Sequence, residues 1–214
     1  DELFSIVLAP RNSNFFIYKL LGGEPFDIKL VNIGLTEQFM IHMKTAFCFG
    51  ILVASPYILY LLYKFVSPAL YQNERRYALR IVGGGYVMFI VGVLVNYCVI
   101  FPLTVRFLGN YQVSESVGNM LSLQSYMDTL MTMTFVFGVV FEIPVISWLL
   151  AMFGLLKAQW MRQYRKNAFV VILIIAAVIT PTSDAFTMSI VALPIWLLYE
   201  VSIIIVAHTK RVIN

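Results

Sequence analysis

Five apolar runs, separated by more polar connections, dominate the pattern of this chain. A helix needs about 20 residues to cross the roughly 30 Å hydrocarbon layer of a membrane. The alternation of polar and apolar residues that is typical of a membrane β-barrel is absent from the sequence. The pattern therefore predicts an all-α, polytopic bundle of membrane-spanning helices. The predicted spans are 39–63, 81–105, 126–153, 168–180 and 186–206.

The composition supports an integral membrane protein. Of the 214 residues, 60% are hydrophobic and only 12% are charged, and the mean hydropathy is +0.84. These values lie outside the usual range of soluble domains. With no internal repeat or low-complexity tract, residues 1–214 are predicted to form a single transmembrane domain. The net charge is +4. In a membrane protein the distribution of this charge among the loops indicates the orientation of the chain. No nucleic-acid partner is expected.

Lysine and arginine cluster in alternate connections, and this predicts the orientation of the chain. Short connections rich in these residues are held on the cytoplasmic side. They are Lys64, Arg75, Arg76 and Arg80 after the first span, Lys157, Arg162, Arg165 and Lys166 after the third, and Lys210 and Arg211 in the tail. The C-terminus is therefore predicted to be cytoplasmic and residue 1 to lie outside.

An outer N-terminus without an initiator methionine or a signal peptide is unusual. We therefore expect one further helix upstream, which makes six spans with both ends in the cytoplasm. Residues 1–38 then form an outer loop, in which LFSIVLAP and FFIYKLL can form short helices.

The last two predicted spans are short. From Ala168 to Ile179 there are 12 uninterrupted apolar residues, which as a helix reach roughly 18 Å. The fifth span is similarly short if it ends near Glu200. Helices of this length are expected to thin the bilayer around them.

One carboxylate, Glu142, lies inside the third span in the stretch FVFGVVFEIPVI. A charge at that depth costs several kcal/mol, so Glu142 is a candidate for a functional role. Pro144 cannot donate a hydrogen bond to the Val140 carbonyl, so we expect the helix to bend and leave a free acceptor there. Gly138 permits close approach of another helix. These residues predict a polar notch that faces the protein interior; the alternative is a glutamate bonded to a neighbouring helix for packing alone.

Three other acidic residues stand out in the sequence. Glu200 in LLYEVSI is either an interfacial residue or a functional one. Glu74, in SPALYQNERRYAL, would by itself be interpreted as part of a local salt bridge beside two arginines. Asp128 completes a capping-box pattern that begins at Ser125, so we predict a structural role for it at the start of the third span.

Several motifs are missing from the sequence. There is no P-loop and no GxSxG, HExxH or paired-cysteine signature. The two histidines, His42 and His208, are too far apart to predict a metal site. We therefore predict a protein that is not an enzyme and has no metal or cofactor. The residues by themselves leave a transporter, a receptor and a translocase open.

Four motifs, in their order and spacing, closely resemble the TatC family, the C subunit of the twin-arginine protein translocase. They are FVSPALYQNERR, FGVVFEIP, ITPTSDAF and ALPIWLLYE. The resemblance extends from about Leu35 to Glu200. It implies a cupped bundle of six spans, five of them present here, in the bacterial cytoplasmic membrane. It also identifies the expected upstream helix as the first span of the family.

The resemblance implies a receptor that binds the twin-arginine signal peptides of folded cargo proteins. Glu74 falls on the family's acidic position in the first cytoplasmic loop, and with Arg75 and Arg76 it is implied to contact the signal peptide. A carboxylate suits this task because guanidinium groups form paired, charge-assisted hydrogen bonds with it. Glu142, with Pro144, falls on the family's intramembrane polar site.

The resemblance further implies partners for the chain. These are single-span membrane proteins of the TatA and TatB type, further copies of the chain in a complex, and the lipid bilayer. The residues implied in partner binding are Thr180, Pro181, Asp184 and Glu200. Transport would be driven by the proton motive force.

A secondary transporter that uses Glu142 as a proton or ion site is the alternative from another class. Such a protein should contain inverted-repeat halves and discontinuous helices around a small-molecule site, and neither is evident in the sequence.

Overall fold

The computed structural model describes residues 2–12, 15, 17–18, 30–66, 78–110, 121–180 and 184–209. Most of these residues are helical. The helices are α1 (Glu2–Leu8), a 3-10 turn (Ala9–Arg11), α2 (Glu37–Val66), α3 (Ala78–Val95), a π-helix (Asn96–Ile100), α4 (Phe101–Asn110), α5 (Leu123–Val140), α6 (Ile143–Met152), α7 (Ala158–Gln163), α8 (Arg165–Ile179) and α9 (Ala185–His208). Two short strands, β1 (Leu30–Val31) and β2 (Leu121–Ser122), complete the described elements.

Within the described ranges, four helical segments are long and apolar enough to cross a membrane. They are Glu37–Leu62, Val82–Gly109, Leu123–Met152 and Ala185–His208. Helix α8 has 15 residues and reaches about 22 Å at 1.5 Å per residue, so it is shorter than these four. The prediction of a polytopic, helical membrane protein is confirmed.

The condition for a short fifth span, an end near Glu200, is not met, and the predicted bounds 186–206 lie close to the observed helix. Helix α9 has 24 residues and continues past Glu200 to His208, which gives a length of about 36 Å. Glu200 lies inside this helix, and its carboxylate is paired with Arg165, Oε2 to Nη2, at 2.6 Å. Glutamate is a good helix former and does not by itself end a helix.

Two of the long segments are irregular next to a proline. In the second, the π-helix Asn96–Ile100 joins α3 to α4, and Pro102 is the second residue of α4. In the third, Phe141 and Glu142 form a turn between α5 and α6, two residues before Pro144. Because proline has no N–H, the i→i−4 ladder cannot continue through either position.

The predicted capping box at Ser125 is also wrong. Helix α5 begins at Leu123 with Ser122 as its N-cap residue, so Ser125 and Asp128 both lie inside the helix. Asp128 instead accepts a hydrogen bond from Lys44 Nζ of α2 at 2.7 Å. Its role is structural, as predicted, but it joins two helices and does not cap one.

The predicted outer loop begins with a helix that lies against the bundle. Three tyrosine hydroxyls contact backbone carbonyl oxygens of this segment: Tyr97 reaches Ile6 at 2.5 Å, Tyr126 reaches Val7 at 3.1 Å, and Tyr18 reaches Pro10 at 2.7 Å. The Tyr18 hydroxyl also lies 2.9 Å from the Pro102 carbonyl oxygen. Burial raises the pKa of Tyr18, against the opposing effect of Arg106, so the phenol acts as a neutral donor.

The structure also contains a pair of strands that the sequence did not predict. Strands β1 and β2 pair in parallel, with Leu30 opposite Leu121 and Val31 opposite Ser122. This short ladder ties the segment before α2 to the start of α5.

The core lies between the long segments. Most of its fully buried side chains come from α4, α5, α9 and the π-helix, with Ile41 from α2 and Ala176 from α8. They include Phe101, Met127, Met133, Phe137, Ile195 and Ile100. Helix α2 is the least buried of the four long segments.

Candidate functional site

Helix α3 packs very closely against α5 at glycine residues. A Cβ added to Gly92 would lie 2.6 Å from the Phe137 carbonyl oxygen, and one added to Gly138 would lie 2.6 Å from the Phe89 ring. Small residues allow helix backbones to approach in this way. We call this contact the glycine seam, formed by Gly85, Phe89 and Gly92 of α3 with Phe137, Gly138 and the Phe141–Glu142 turn.

Glu142 lies at one end of the glycine seam. The residue is 8% exposed, and the space beside its carboxylate exists because residue 85 is glycine. A Cβ at Gly85 would lie 3.0 Å from Glu142 Oε2. The turn at 141–142, together with Pro144, places the carboxylate against α3.

The Glu142 carboxylate is incompletely satisfied by the described part of the chain. Its Oε1 atom is buried and has no hydrogen-bond partner there, and neither salt bridge found in the described ranges includes it. An unpaired buried acceptor costs about 1–3 kcal/mol. The interpretation of Glu142 as a packing residue required a bond to a neighbouring helix, and Oε1 has none among these residues. Oε1 is therefore a buried acceptor without a donor among the described residues.

The structure shows a second buried polar group, between α5 and the π-helix that follows α3. Asn96 is fully buried, and its Nδ2 donates to Thr134 Oγ1 at 3.0 Å. Within the described residues, Asn96 Oδ1 has no partner. Thr134 precedes Glu142 by eight positions, about 12 Å along a helix. The sequence analysis missed this pair, although an asparagine in the run VLVNYCVIF was a visible signal.

Of the residues implied in partner binding between α8 and α9, the two that the structure describes form hydrogen bonds within their own chain. Thr180 Oγ1 donates to the Ala176 carbonyl at 3.0 Å. Asp184 caps α9: its Oδ2 accepts from the Thr187 amide at 2.8 Å and its Oδ1 accepts from the Thr187 hydroxyl at 2.6 Å. These bonds define the end of α8 and the start of α9. Pro181 lies outside the described residues.

The remaining predicted site residues are separate from this loop. Glu200 accepts a hydrogen bond from Arg165 at 2.6 Å and remains 29% exposed at its side chain. This pair joins α9 to the start of α8. Glu74, Arg75 and Arg76 lie outside the described residues. Of the predicted residues, the structure thus brings Glu142 and Pro144 together at the seam, and Thr180 and Asp184 at the ends of one short loop.

Long apolar helices around a buried, incompletely bonded carboxylate define a multi-pass helical membrane protein. The family model described as Sec-independent protein translocase protein (TatC) matches residues 1–194, and the chain belongs to this family. Members of this family are membrane components of a protein translocase and are not enzymes. The resemblance to TatC and the prediction that the protein is not an enzyme are therefore both confirmed.

Curated relatives agree with the family match. The chain is 37% identical to the TatC protein of Koribacter versatilis over 87% of this chain and 68% of that protein. It is 34% identical to TatC of Carboxydothermus hydrogenoformans over 95% of this chain and 84% of that protein. It is also 34% identical to TatCy of Bacillus subtilis over 88% of this chain and 74% of that protein.

Solved structures show the same fold. A crystal structure of the twin arginine translocase receptor TatC matches with a TM-score of 0.79 and 30% identity, over 96% of this chain and 85% of that one. A crystal structure of the same receptor in DDM matches with a TM-score of 0.80 and 28% identity, over 95% of this chain and 85% of that one. The chain therefore has the fold of a Sec-independent translocase subunit.

Proposed function

We propose that this protein is the receptor and core subunit of a twin-arginine translocase, which binds the signal peptides of folded proteins and nucleates the translocon. The observation that carries the proposal is the match of nearly the whole chain to a solved twin arginine translocase receptor. In this proposal the partners are TatA- and TatB-type single-span proteins and further copies of the subunit. The complex lies in the bacterial cytoplasmic membrane with the C-terminus inside, and the proton motive force drives transport.

Signal recognition is assigned to the first cytoplasmic connection. Glu74 is a carboxylate beside Arg75 and Arg76 in a connection that the charge pattern places in the cytoplasm. A carboxylate accepts two parallel hydrogen bonds from a guanidinium, whereas an ammonium is a compact point charge without that paired geometry. This difference supports a preference for an arginine pair over a lysine pair in the signal.

Within the membrane, we assign Glu142 to the binding of a polar group from a partner helix or of water. The support is the buried Oε1 atom, which has no partner in the described part of the chain. In hydrocarbon such an acceptor favours any helix that brings a donor to it.

The loop between α8 and α9 is assigned to partner binding through Thr180, Pro181 and Asp184, with Glu200 further along α9. The short helix α8 supports this assignment, since local thinning of the bilayer favours recruitment of other short or tilted helices. Asp184 then acts mainly by fixing the start of α9, because its carboxylate already caps that helix.

Peptide binding tests the receptor function directly. Full-length protein in detergent is titrated with a twin-arginine signal peptide and with its twin-lysine variant, for wild type and Glu74→Gln. We expect wild type to prefer the arginine peptide and Glu74→Gln to lose most of that preference. A bidentate contact contributes about 1–3 kcal/mol, which is about 5- to 150-fold in affinity.

Glu37→Gln is the matched control, because Glu37 lies in the first turn of α2 at the predicted outer end. It should keep the wild-type preference. Equal binding of both peptides by wild type, or no binding of either, would refute the receptor assignment.

A further inference from the structure

A pocket lies at the end of the bundle that the charge pattern places in the cytoplasm. Its volume is about 270 Å³, and it is open to the surface. One side is formed by Ala151, by residues 156–157 of the connection after α6 and by residues 158–159 at the start of α7. The other side is formed by Val206, Ala207 and Thr209 at the end of α9. We call it the Lys157 pocket. Its size suits a small polar group better than a drug-sized ligand, which needs about 300–1,000 Å³.

Lys157 supplies the charge of this pocket. Its Nζ lies 5.1 Å from the centre of the Trp160 ring, within the range of a cation–π contact. In the described part of the chain, no carboxylate forms a salt bridge with Lys157. The tryptophan therefore orients the ammonium while its positive charge remains unneutralised.

The surroundings of the pocket are those of a membrane interface. Trp160 is 49% exposed and Leu155 is 65% exposed, and the exposed Arg162 of α7 and Lys166 of α8 follow them in the sequence. Tryptophan is enriched at the level of the lipid headgroups, and basic pockets between helices on the cytoplasmic side suit anionic headgroups. The two apolar side chains would reach toward the acyl chains while Lys157 stays at the level of the phosphates.

The end of α9 adds backbone carbonyl groups to the Lys157 pocket. The last carbonyls of a helix have no partners within it and carry partial negative charge. A bare phosphate would be repelled by them, whereas a headgroup with hydroxyl donors beside its phosphate can satisfy both sides of the pocket. The net positive charge of the connection also favours a headgroup with a net negative charge.

We propose that the Lys157 pocket binds the headgroup of an anionic phospholipid of the phosphatidylglycerol type. The phosphate lies at Lys157, and the glycerol hydroxyls lie toward the carbonyl end of α9. The bound lipid would link the connection after α6 to the last turn of α9. The proposal is independent of signal recognition and of partner binding.

Native mass spectrometry of the full-length protein tests this proposal. The protein is purified in detergent, supplied with phosphatidylglycerol or phosphatidylcholine of identical acyl chains, and its retained lipids are counted. We expect wild type to retain phosphatidylglycerol in preference. Lys157→Gln should lower this retention about fivefold, the effect expected for one lysine at a lipid surface.

Two variants separate the pocket from general surface charge. Lys166→Gln removes a charge from α8 that does not line the pocket, and it should change retention less than twofold. Lys157→Arg keeps the charge and should retain phosphatidylglycerol nearly as well as wild type. If Lys157→Gln folds poorly, Ala207→Leu is tested instead. The larger side chain at this exposed position narrows the pocket and leaves the charge of Lys157 unchanged. It should therefore lower the retention of phosphatidylglycerol.

Three results would overturn the proposal. One is equal retention of the two lipids by wild type, and another is equal loss in Lys157→Gln and Lys166→Gln. The third comes from adding inorganic phosphate: if millimolar phosphate displaces the lipid completely, the pocket is a site for free phosphate and not for a lipid. Retention that survives phosphate supports the lipid assignment.

Discussion

Gly85 of α3 and Glu142 face each other across the glycine seam so closely that a Cβ on residue 85 would lie 3.0 Å from Glu142 Oε2. The absence of a side chain at Gly85 is therefore what gives the buried carboxylate its place. Pro144, two residues after Glu142, prevents a regular helix at that point. The site thus depends on one residue in each of two segments that are far apart in the sequence.

Substitution at Gly85 should disturb the carboxylate more than the fold. In Gly85→Ala the methyl group meets the end of a flexible side chain, which can move, so we expect a stability loss below about 1 kcal/mol. Gly85→Leu should displace Glu142 and lower export of a twin-arginine reporter. Gly84→Ala is the control, because a Cβ there would meet nothing within 4 Å. Equal loss of export in Gly84→Ala and Gly85→Leu would contradict the assignment of this space to Glu142.

Among the glycines of the seam, Gly92 should cause the largest loss of stability when it is substituted. An added Cβ would lie 2.6 Å from the Phe137 carbonyl oxygen and 2.8 Å from the Phe141 Cβ. Since backbone cannot move aside cheaply, Gly92→Ala should cost about 1–3 kcal/mol, measured as a lower thermal unfolding temperature in detergent. Gly50→Ala on α2, where nothing lies within 4 Å, should unfold at or above the wild-type temperature. Identical unfolding of both variants would show that the helices are not packed this closely.

Glu142 should be dispensable for stability and required for export. Glu142→Met replaces an incompletely bonded buried carboxylate by an apolar side chain of similar length, so the unfolding temperature should stay the same or rise. Export of a folded reporter, measured in a host that lacks its own corresponding subunit, should fall at least tenfold, and Glu142→Gln should show an intermediate loss. A destabilised Glu142→Met variant with normal export would instead assign Glu142 to packing.

The ion pair between Lys44 and Asp128 should contribute little energy. Its side chains are 44% and 40% exposed, and exposed pairs typically contribute about 0.2–1 kcal/mol. A double-mutant cycle with Lys44→Met and Asp128→Asn, followed by chemical or thermal unfolding in detergent, should give a coupling energy within that range. It should weaken as salt is added. A coupling energy well above this range, or one that salt leaves unchanged, would mean that the pair is more desolvated than its exposure indicates.

Tyr126 should hold α1 in place. Its hydroxyl donates to the Val7 carbonyl at 3.1 Å across a sequence separation of 119 residues. Tyr126→Phe leaves a buried acceptor in α1 without this donor, at a cost of about 1 kcal/mol. Hydrogen exchange should then speed up about fivefold in Glu2–Leu8, while the amides of α9 keep their wild-type protection. Uniformly faster exchange throughout the protein would indicate a global loss of stability instead.

The sequence by itself determined the class of the protein and most of its helices. Long apolar runs in a membrane can satisfy their backbone groups only as helices or closed barrels, so length and composition already exclude most other folds. The motif around Glu142 was also visible, because a lone carboxylate in an apolar run is costly wherever it lies.

Only the tertiary structure decided what surrounds each polar residue. The sequence left the role of Glu200 open, and the structure pairs it with Arg165, 35 positions away. Asp128 resembled a cap until it proved to pair with Lys44 of another helix. The partners of these residues lie far away in the sequence and are chosen by helix packing. Periodicity and local motifs cannot encode such a choice, because it depends on which faces of separate helices meet.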